Sequence, residues 1–495
     1  MARLLVLVAV MAASVVFAGC RTMAPDYARP DAPVPGQFAN AGQVTADAIP
    51  ASEIPWQRYF SDQRLRTIVD QAIANNRDLR TAVLNIDRAR ALYRIQRSAL
   101  LPSVNVTATG VRQRIPEGLF GGAGGAFNAE QYSANIGVSG YELDIFGRIR
   151  SLNDRAIQTY LATEEARKAV QIGLVAEVAQ AYLMYAADRE RLALARETLD
   201  SQRRSLDLTR QRLEGGVANG LDVRQAETTV EAARADVARF TALLAQDRNA
   251  LDVVVGAPVN DDLLPTAPLD PVTAIADLPA GIPSDVLQRR PDILAAEHQL
   301  QAMYANIGAA RANFFPTISL TGSVGSASQS LFSLFTAGTG AWAFLPQVTA
   351  PVFNAGRNRA TLQVAEIDRA LAVASYERTI QEAFREVADA LAVRETIDEQ
   401  IDAQEALVAA ASDGLRLADA RFRGGVDSYL PVLDAQRGLY QSQQGLIAVR
   451  LARGANAVSL YRALGGGWTP EPSTDPAGVS SSTGSESSVS PQGER

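Results

Sequence analysis

Few side chains in this sequence could do covalent or coordination chemistry: there is one thiol, Cys20, and one imidazole, His298. A disulfide needs two cysteines, and a structural zinc site needs several Cys or His ligands, so both are excluded. His298 sits in Glu297-His-Gln within helical sequence, with no partner at metal spacing, and reads as a half-exposed helical histidine rather than a catalytic base. The glycine-rich run Gly118–Gly125 matches neither phosphate-binding spacing. No enzymatic activity, metal or cofactor is therefore expected. Nucleic acid is not an expected partner either, because 54 acidic residues outnumber 47 basic ones and phosphate binding needs clustered positive charge. The remaining chemistry is that of the thiol. Cys20 closes a segment in which Arg3 precedes the apolar run Leu4–Val16 and the small residues Ala18 and Gly19, the layout of a secretory signal too short to span a bilayer.

Phe17-Ala-Gly-Cys20 resembles the lipobox of bacterial lipoproteins, with Phe17 where that pattern usually has Leu. The resemblance implies removal of residues 1–19 and a covalent lipid on Cys20. Arg21, rather than Asp, follows the cysteine, which by the same resemblance implies sorting to the outer membrane. An ordinary signal peptide with an incidental cysteine is the alternative. Residues 20–55 are rich in Pro, Ala and Asp and read as an extended arm, and residues 469–495 read as a disordered Ser/Gly/Pro tail.

Between the arm and the tail the chain is an internal duplication. Arg97-Ser-Ala-Leu-Leu-Pro102 matches Arg311-Ala-Asn-Phe-Phe-Pro316, Gly147-Arg148 matches Gly356-Arg357, and Arg212-Leu-Glu-Gly215-Gly216-Val217 matches Arg421-Phe-Arg-Gly424-Gly425-Val426. Three matches in the same order, at so long a period, mean two copies of a domain-sized unit. The expected copies are 56–256 and 285–468, joined by a linker at 257–284, each reading helix, strand pair, long helix, turn, helix.

The long helices are marked by apolar residues every seven positions: Val178, Tyr185, Leu192, Leu199, Leu206 and Leu213, then Ile380, Val387, Ile401, Val408, Leu415 and Phe422, with Arg394 interrupting. Such a repeat predicts lengthwise, left-handed coiled packing. The Gly-Gly-Val turns then fold each long helix back on a partner, giving two antiparallel hairpins.

The strands have a period of two. Ile318, Leu320 and Val324 alternate with Ser and Thr, Ala134, Ile136 and Val138 alternate with Ser133, Asn135 and Ser139, and Val104 and Val106 begin a third run. A fourth, marked by Trp342, Phe344 and Val348, is expected to be interrupted by Pro346. Locally such strands fit either a membrane barrel or a soluble sheet with one wet face. The secretory start and the lack of any helix assigned to cover them favour the barrel. Four strands cannot close a barrel, since the smallest has about eight. Three copies sharing their strands would supply twelve, enough for an open lumen.

Taken with Glu142-Leu-Asp-Ile-Phe-Gly147, Leu433-Asp-Ala-Gln-Arg437 and Leu460-Tyr-Arg-Ala-Leu-Gly-Gly-Gly-Trp468, these motifs resemble the TolC-type outer-membrane factors, in their NodT- and OprM-like lipoprotein branch, over Trp56–Trp468. The resemblance implies a mainly α fold with membrane β: a homotrimer whose twelve-stranded outer-membrane β-barrel continues into a long periplasmic coiled-coil barrel. It implies a channel of a tripartite efflux or export system, docked through a periplasmic adaptor (membrane fusion) protein onto an inner-membrane pump, commonly of the resistance-nodulation-division type. It also implies that the tips Arg212, Gly215, Gly216 and Val217, and Arg421, Gly424, Gly425 and Val426, face the adaptor, and that Leu415 and Asp419, one helical turn apart, narrow the closed periplasmic end. Simple hairpin reversal explains the glycines equally well, and Leu415 also belongs to the heptad ladder. A periplasmic coiled-coil adaptor or scaffold lipoprotein is the competing reading, which leaves the strand pairs unexplained.

Overall fold

The computed structural model describes residues 22–38, 53–116, 126–266 and 284–468, together with Leu269. Cys20, the Gly118–Gly125 run, most of the linker and the C-terminal tail lie outside the described residues. The first half runs α1 (Trp56–Tyr59), α2 (Gln63–Asn75), α3 (Arg77–Ser98), β1 (Val104–Ile115), β2 (Phe127–Leu143), α4 (Arg148–Glu214) and α5 (Gly220–Val255). The second half repeats this plan as α6 (Pro291–Ala312), β3 (Thr317–Ser328), β4 (Gly340–Thr349), α7 (Arg357–Arg423) and α8 (Leu430–Ala463).

α4 and α7 are 67 residues each, about 100 Å at a rise of about 1.5 Å per residue. No single core can cover that length, and the buried face changes along each helix. Near the sheet, α4 packs between α3 and α6, and α7 packs on α6. Mid-length, both enter the main core, one apolar cluster to which Val178, Ala179, Tyr182 and Leu183 of α4 and Ile380, Ala383 and Val387 of α7 all belong. Further on, α4 pairs with α5 and α7 with α8. The predicted ladders lie on these faces: Val178, Leu192, Leu199, Leu206, Ile380, Val387, Ile401 and Phe422 are buried, whereas Leu213 at the first tip is exposed.

The main core is closed by aromatic side chains from both ends of the chain. Tyr59 stacks on Tyr461 with ring centroids 3.8 Å apart, and Tyr182 donates to Asp62 Oδ2 at 2.8 Å. The N-terminal arm packs along α6 and α7. Arg29 makes two hydrogen bonds to the buried Glu297 at 2.9 and 2.7 Å, Tyr27 donates to the same carboxylate, and Phe38 stacks on Phe384 at 4.5 Å.

The four strands form one antiparallel sheet in the order β1-β2-β3-β4, so β1 and β4 are its edges. Pro346 does not interrupt β4, contrary to expectation: the strand runs continuously, with Pro346 opposite Leu320. The reason lies in the register. Ala327 donates to Thr339, so odd-numbered pairs carry the β3–β4 hydrogen bonds, and the Pro346 nitrogen points away from β3, costing that ladder no bond. A bulge between Val138 and Tyr141, at Gly140 with φ +66°, shifts β2 by one residue. The shift turns Tyr141 and Leu143 onto the same face as Val138 and Ile136.

Candidate functional site

Two surfaces, at opposite ends of the long helices, have a composition that calls for a partner. The first is the sheet. Register brings Val104, Val106, Ile136, Val138, Val324, Trp342, Phe344 and Val348 onto one face, and this face is bare: Val106 is 77% exposed and Trp342 80%. The opposite face carries Asn105, Thr107, Thr109, Ser133, Asn135, Thr321 and Ser323, and Thr109 hydrogen-bonds Ser133 at 2.7 Å. Along β2 the apolar column runs from Leu143 to Tyr132, roughly 36 Å of strand at about 3.3 Å per residue. Tilted by the usual ~40°, it covers ~28 Å, close to the apolar band of a membrane barrel. The next pair outward on that face is the ion pair of Arg112 with Glu130 at 2.9 Å, which suits a polar rim. One helix, α4, also has the length and apolar content to cross a membrane, but 56% of its apolar stretch is buried in the molecule.

The second surface is the pair of hairpin tips. Each long helix ends on a glycine pair of which only the second needs glycine: Gly216 has φ +75° and Gly425 +71°, while Gly215 and Gly424 remain right-handed. Val217 donates to Arg212 O and Gly216 to Leu213 O, both at 2.9 Å, and Val426 and Gly425 do the same on Arg421 and Phe422. This double closure satisfies the last helical carbonyls and leaves Val217 and Val426 projecting at 70% and 65% exposure.

The two tip arginines are not equivalent. Arg421 is held by Asp427, with Nη2 at 3.0 Å from Oδ1, and its guanidinium keeps the Asp427 carboxyl below the usual carboxylate range. Arg212 instead reaches across to the second hairpin, over the Phe422 ring. Behind the tips, Leu199 and Leu206, Val223 and Val230, Phe422, and Tyr429, Val432 and Leu433 form one apolar cluster drawn from all four helices. Leu415 packs against this cluster. Asp419, on the same face, is paired with Arg423 at 2.9 Å.

The structure brings Arg212, Val217, Leu415 and Asp419 together around one cavity of about 900 Å³ between α4 and α7, which Arg204, Arg416 and Arg423 also line. It does not bring Arg421, Gly424, Gly425 or Val426 there; these form the outer end of the second hairpin. Phe422 was missed as a site residue. Its signal was the aromatic ring standing where the first copy has Leu213. Among the described residues, no group of three His, Cys, Asp or Glu side chains is placed to hold a metal. His298 donates from Nδ1 to Gln158 Oε1, 2.7 Å away. Cys20 lies outside the described residues, but Thr22 is placed: a Cβ on Gly147, between β2 and α4, would stand 2.9 Å from Thr22 Cα. The described part of the arm, from Thr22, therefore starts at the sheet end of the helices.

Comparison with known proteins agrees with this geometry. The family described as "Outer membrane efflux protein" matches residues 68–257 and 282–466. The chain is 49% identical over 457 residues to the probable efflux pump outer membrane protein TtgC of Pseudomonas putida, covering 92% of this chain and 94% of TtgC. It is 46% identical over 450 residues to the outer membrane protein OprJ of Pseudomonas aeruginosa, covering 91% and 94%. Among solved structures, the open-state MtrE outer membrane channel of Neisseria gonorrhoeae superposes with a TM-score of 0.82 at 40% identity, over 90% of this chain and 99% of that one. CusC superposes with a TM-score of 0.79 at 40% identity, over 90% and 100%. The chain belongs to the outer membrane efflux protein family and is an outer-membrane efflux channel.

Proposed function

We propose that three copies form the duct, each giving four strands to a twelve-stranded barrel that continues into a periplasmic tunnel of helical hairpins. The observation that carries this reading is the sheet itself: four strands with two open edges and one face fit for lipid. A sheet edge cannot be left unpaired in hydrocarbon, and among the described residues a single copy has nothing to pair it with. In this reading the duct is a conduit with no chemistry of its own, and a lipid on Cys20 fastens the arm to the membrane the barrel crosses. The tips Arg212–Val217 and Arg421–Val426 meet the hairpins of a periplasmic adaptor, which couples the duct to an inner-membrane pump of the resistance-nodulation-division type. Leu415 and Asp419 narrow the periplasmic end until the adaptor engages.

Relatives described as toluene and antibiotic efflux components make small organic compounds the first class of cargo to test. Planar-bilayer recording of the detergent-purified protein tests the channel reading: discrete conductance steps are expected. A silent bilayer, together with release of the Cys20→Ser variant from membranes without detergent, would instead support a periplasmic scaffold lipoprotein.

A further inference from the structure

The two copies of the duplicated unit meet inside one chain, where α4 of the first packs on α6 of the second. That seam carries polar contacts: the half-buried Gln158 and His298 bond at 2.7 Å, and the exposed Arg155 reaches Asn306 at 3.1 Å. In a ring of three copies each unit must meet the next in the same way, so α7 of one chain would meet α3 of its neighbour as α4 meets α6. The two sequence matches give the correspondence. Gly147 with Gly356 places Gln158 on Ile367 and Arg155 on Val364. Arg97 with Arg311 places His298 on Leu84 and Asn306 on Leu92.

All four counterparts are apolar and bare. Ile367 is 50% exposed, Val364 57%, Leu84 58% and Leu92 51%. Flanking positions repeat the pattern: Ala162, buried at 3%, corresponds to Leu371 at 64%, and Ala309, at 6%, to Ile95 at 68%. Gln158, His298, Asn306, Ala162 and Ala309 are buried or half-buried inside the chain, so their counterparts Ile367, Leu84, Leu92, Leu371 and Ile95 are expected to be covered, yet one copy leaves them exposed. Their occupant must have the shape of this same fold, because the covering surface is defined by the fold's own repeat.

We infer that the seam between neighbouring copies is an apolar counterpart of the polar seam within each copy, with Leu84 level with Ile367 of the next chain and Leu92 and Val364 further along the same joint toward the sheet. The inference rests on the three-copy reading and adds its register and chemistry.

Paired cysteines test this, because the one native thiol, Cys20, stands far along the chain from the seam and can be replaced by Ser in all variants. Leu84→Cys with Ile367→Cys, treated in the membrane with a short bis-maleimide, should give covalent dimers and trimers on denaturing gels. The crossed pair Leu92→Cys with Ile367→Cys, displaced by about 12 Å along the helix at a rise of about 1.5 Å per residue, should give far less. Native mass spectrometry of the same samples separates the outcomes. A trimer whose matched pair stays uncoupled, or whose crossed pair couples as well, overturns the register and leaves the three-copy reading intact. A protein that is never trimeric overturns both.

Discussion

The Arg212 guanidinium lies 4.2 Å from the centroid of the Phe422 ring and also donates to the Phe422 carbonyl at 3.3 Å, fastening the tip of the first hairpin to the second. A cation over an aromatic face contributes about 0.5–1 kcal/mol at an exposed site, and a hydrogen bond from a charged donor adds to it. Arg212→Ala should therefore speed amide exchange over residues 208–217 severalfold, and Phe422→Leu should add little once Arg212 is gone. Unchanged exchange in Arg212→Ala would show that the tips are held by the apolar cluster alone.

The gate prediction concerns the cavity between α4 and α7. If Leu415 and Asp419 line the closed axis, three carboxylates converge there, each already compensated by its own Arg423. Replacing both residues with Ala removes packing against the four-helix cluster and the Asp419–Arg423 pair, while Leu199, Leu206, Val432 and Leu433 keep the cluster together. On the three-copy reading, the isolated double variant should assemble normally and conduct more. Normal assembly with parental conductance would reduce both residues to coiled-coil positions.

Much of this fold was legible because periodic burial leaves periodic sequence. Val178 to Leu206 mark one buried face, Ile318 to Val324 one sheet face, and the repeated Gly-Gly-Val both turns. What stayed hidden depends on contacts between distant positions. The bulge at Gly140 has no local signature beyond one glycine, and Pro346 reads as a strand breaker unless its nitrogen is known to point away from β3. Arg212 and Arg421 look alike in sequence, and only the partners Phe422 and Asp427 distinguish a strap between hairpins from a local ion pair.

Stability should depend on pH through one buried carboxyl pair. Asp247 on α5 faces Asp188 on α4, and burial, followed by the charge of Asp188, pushes the Asp247 carboxyl up from 3.8 to about 6. Arg191 donates to Asp188 at 2.6 Å. Because the folded value lies above the unfolded one, the folded state holds the extra proton between those two values. The resulting stabilisation is full below that window and lost as pH rises through it. Asp247→Asn should flatten the dependence between roughly pH 4 and 6 and unfold at a higher temperature than the parent at neutral pH. A variant no more stable at pH 7, with the slope retained, would move the effect to another group.

The arm is held by protein contacts independently of any lipid. Arg29 and Tyr27 on Glu297, and Phe38 on Phe384, remain in Cys20→Ser. That variant should still assemble but be extracted more easily, and mass spectrometry of the parent should find a mature chain starting at an acylated Cys20. An unmodified terminus on either side of Cys20 would rule out the anchor.

The central claim is that one copy supplies a third of a closed wall, and electron microscopy of the detergent-purified protein tests it most directly. The expected particle has three-fold symmetry, a barrel of twelve strands and a helical tunnel about 100 Å long at the rise of an α-helix, with β4 of each copy beside β1 of the next. A monodisperse single chain carrying a complete barrel, or an assembly in which β1 and β4 both remain unpaired, would contradict it.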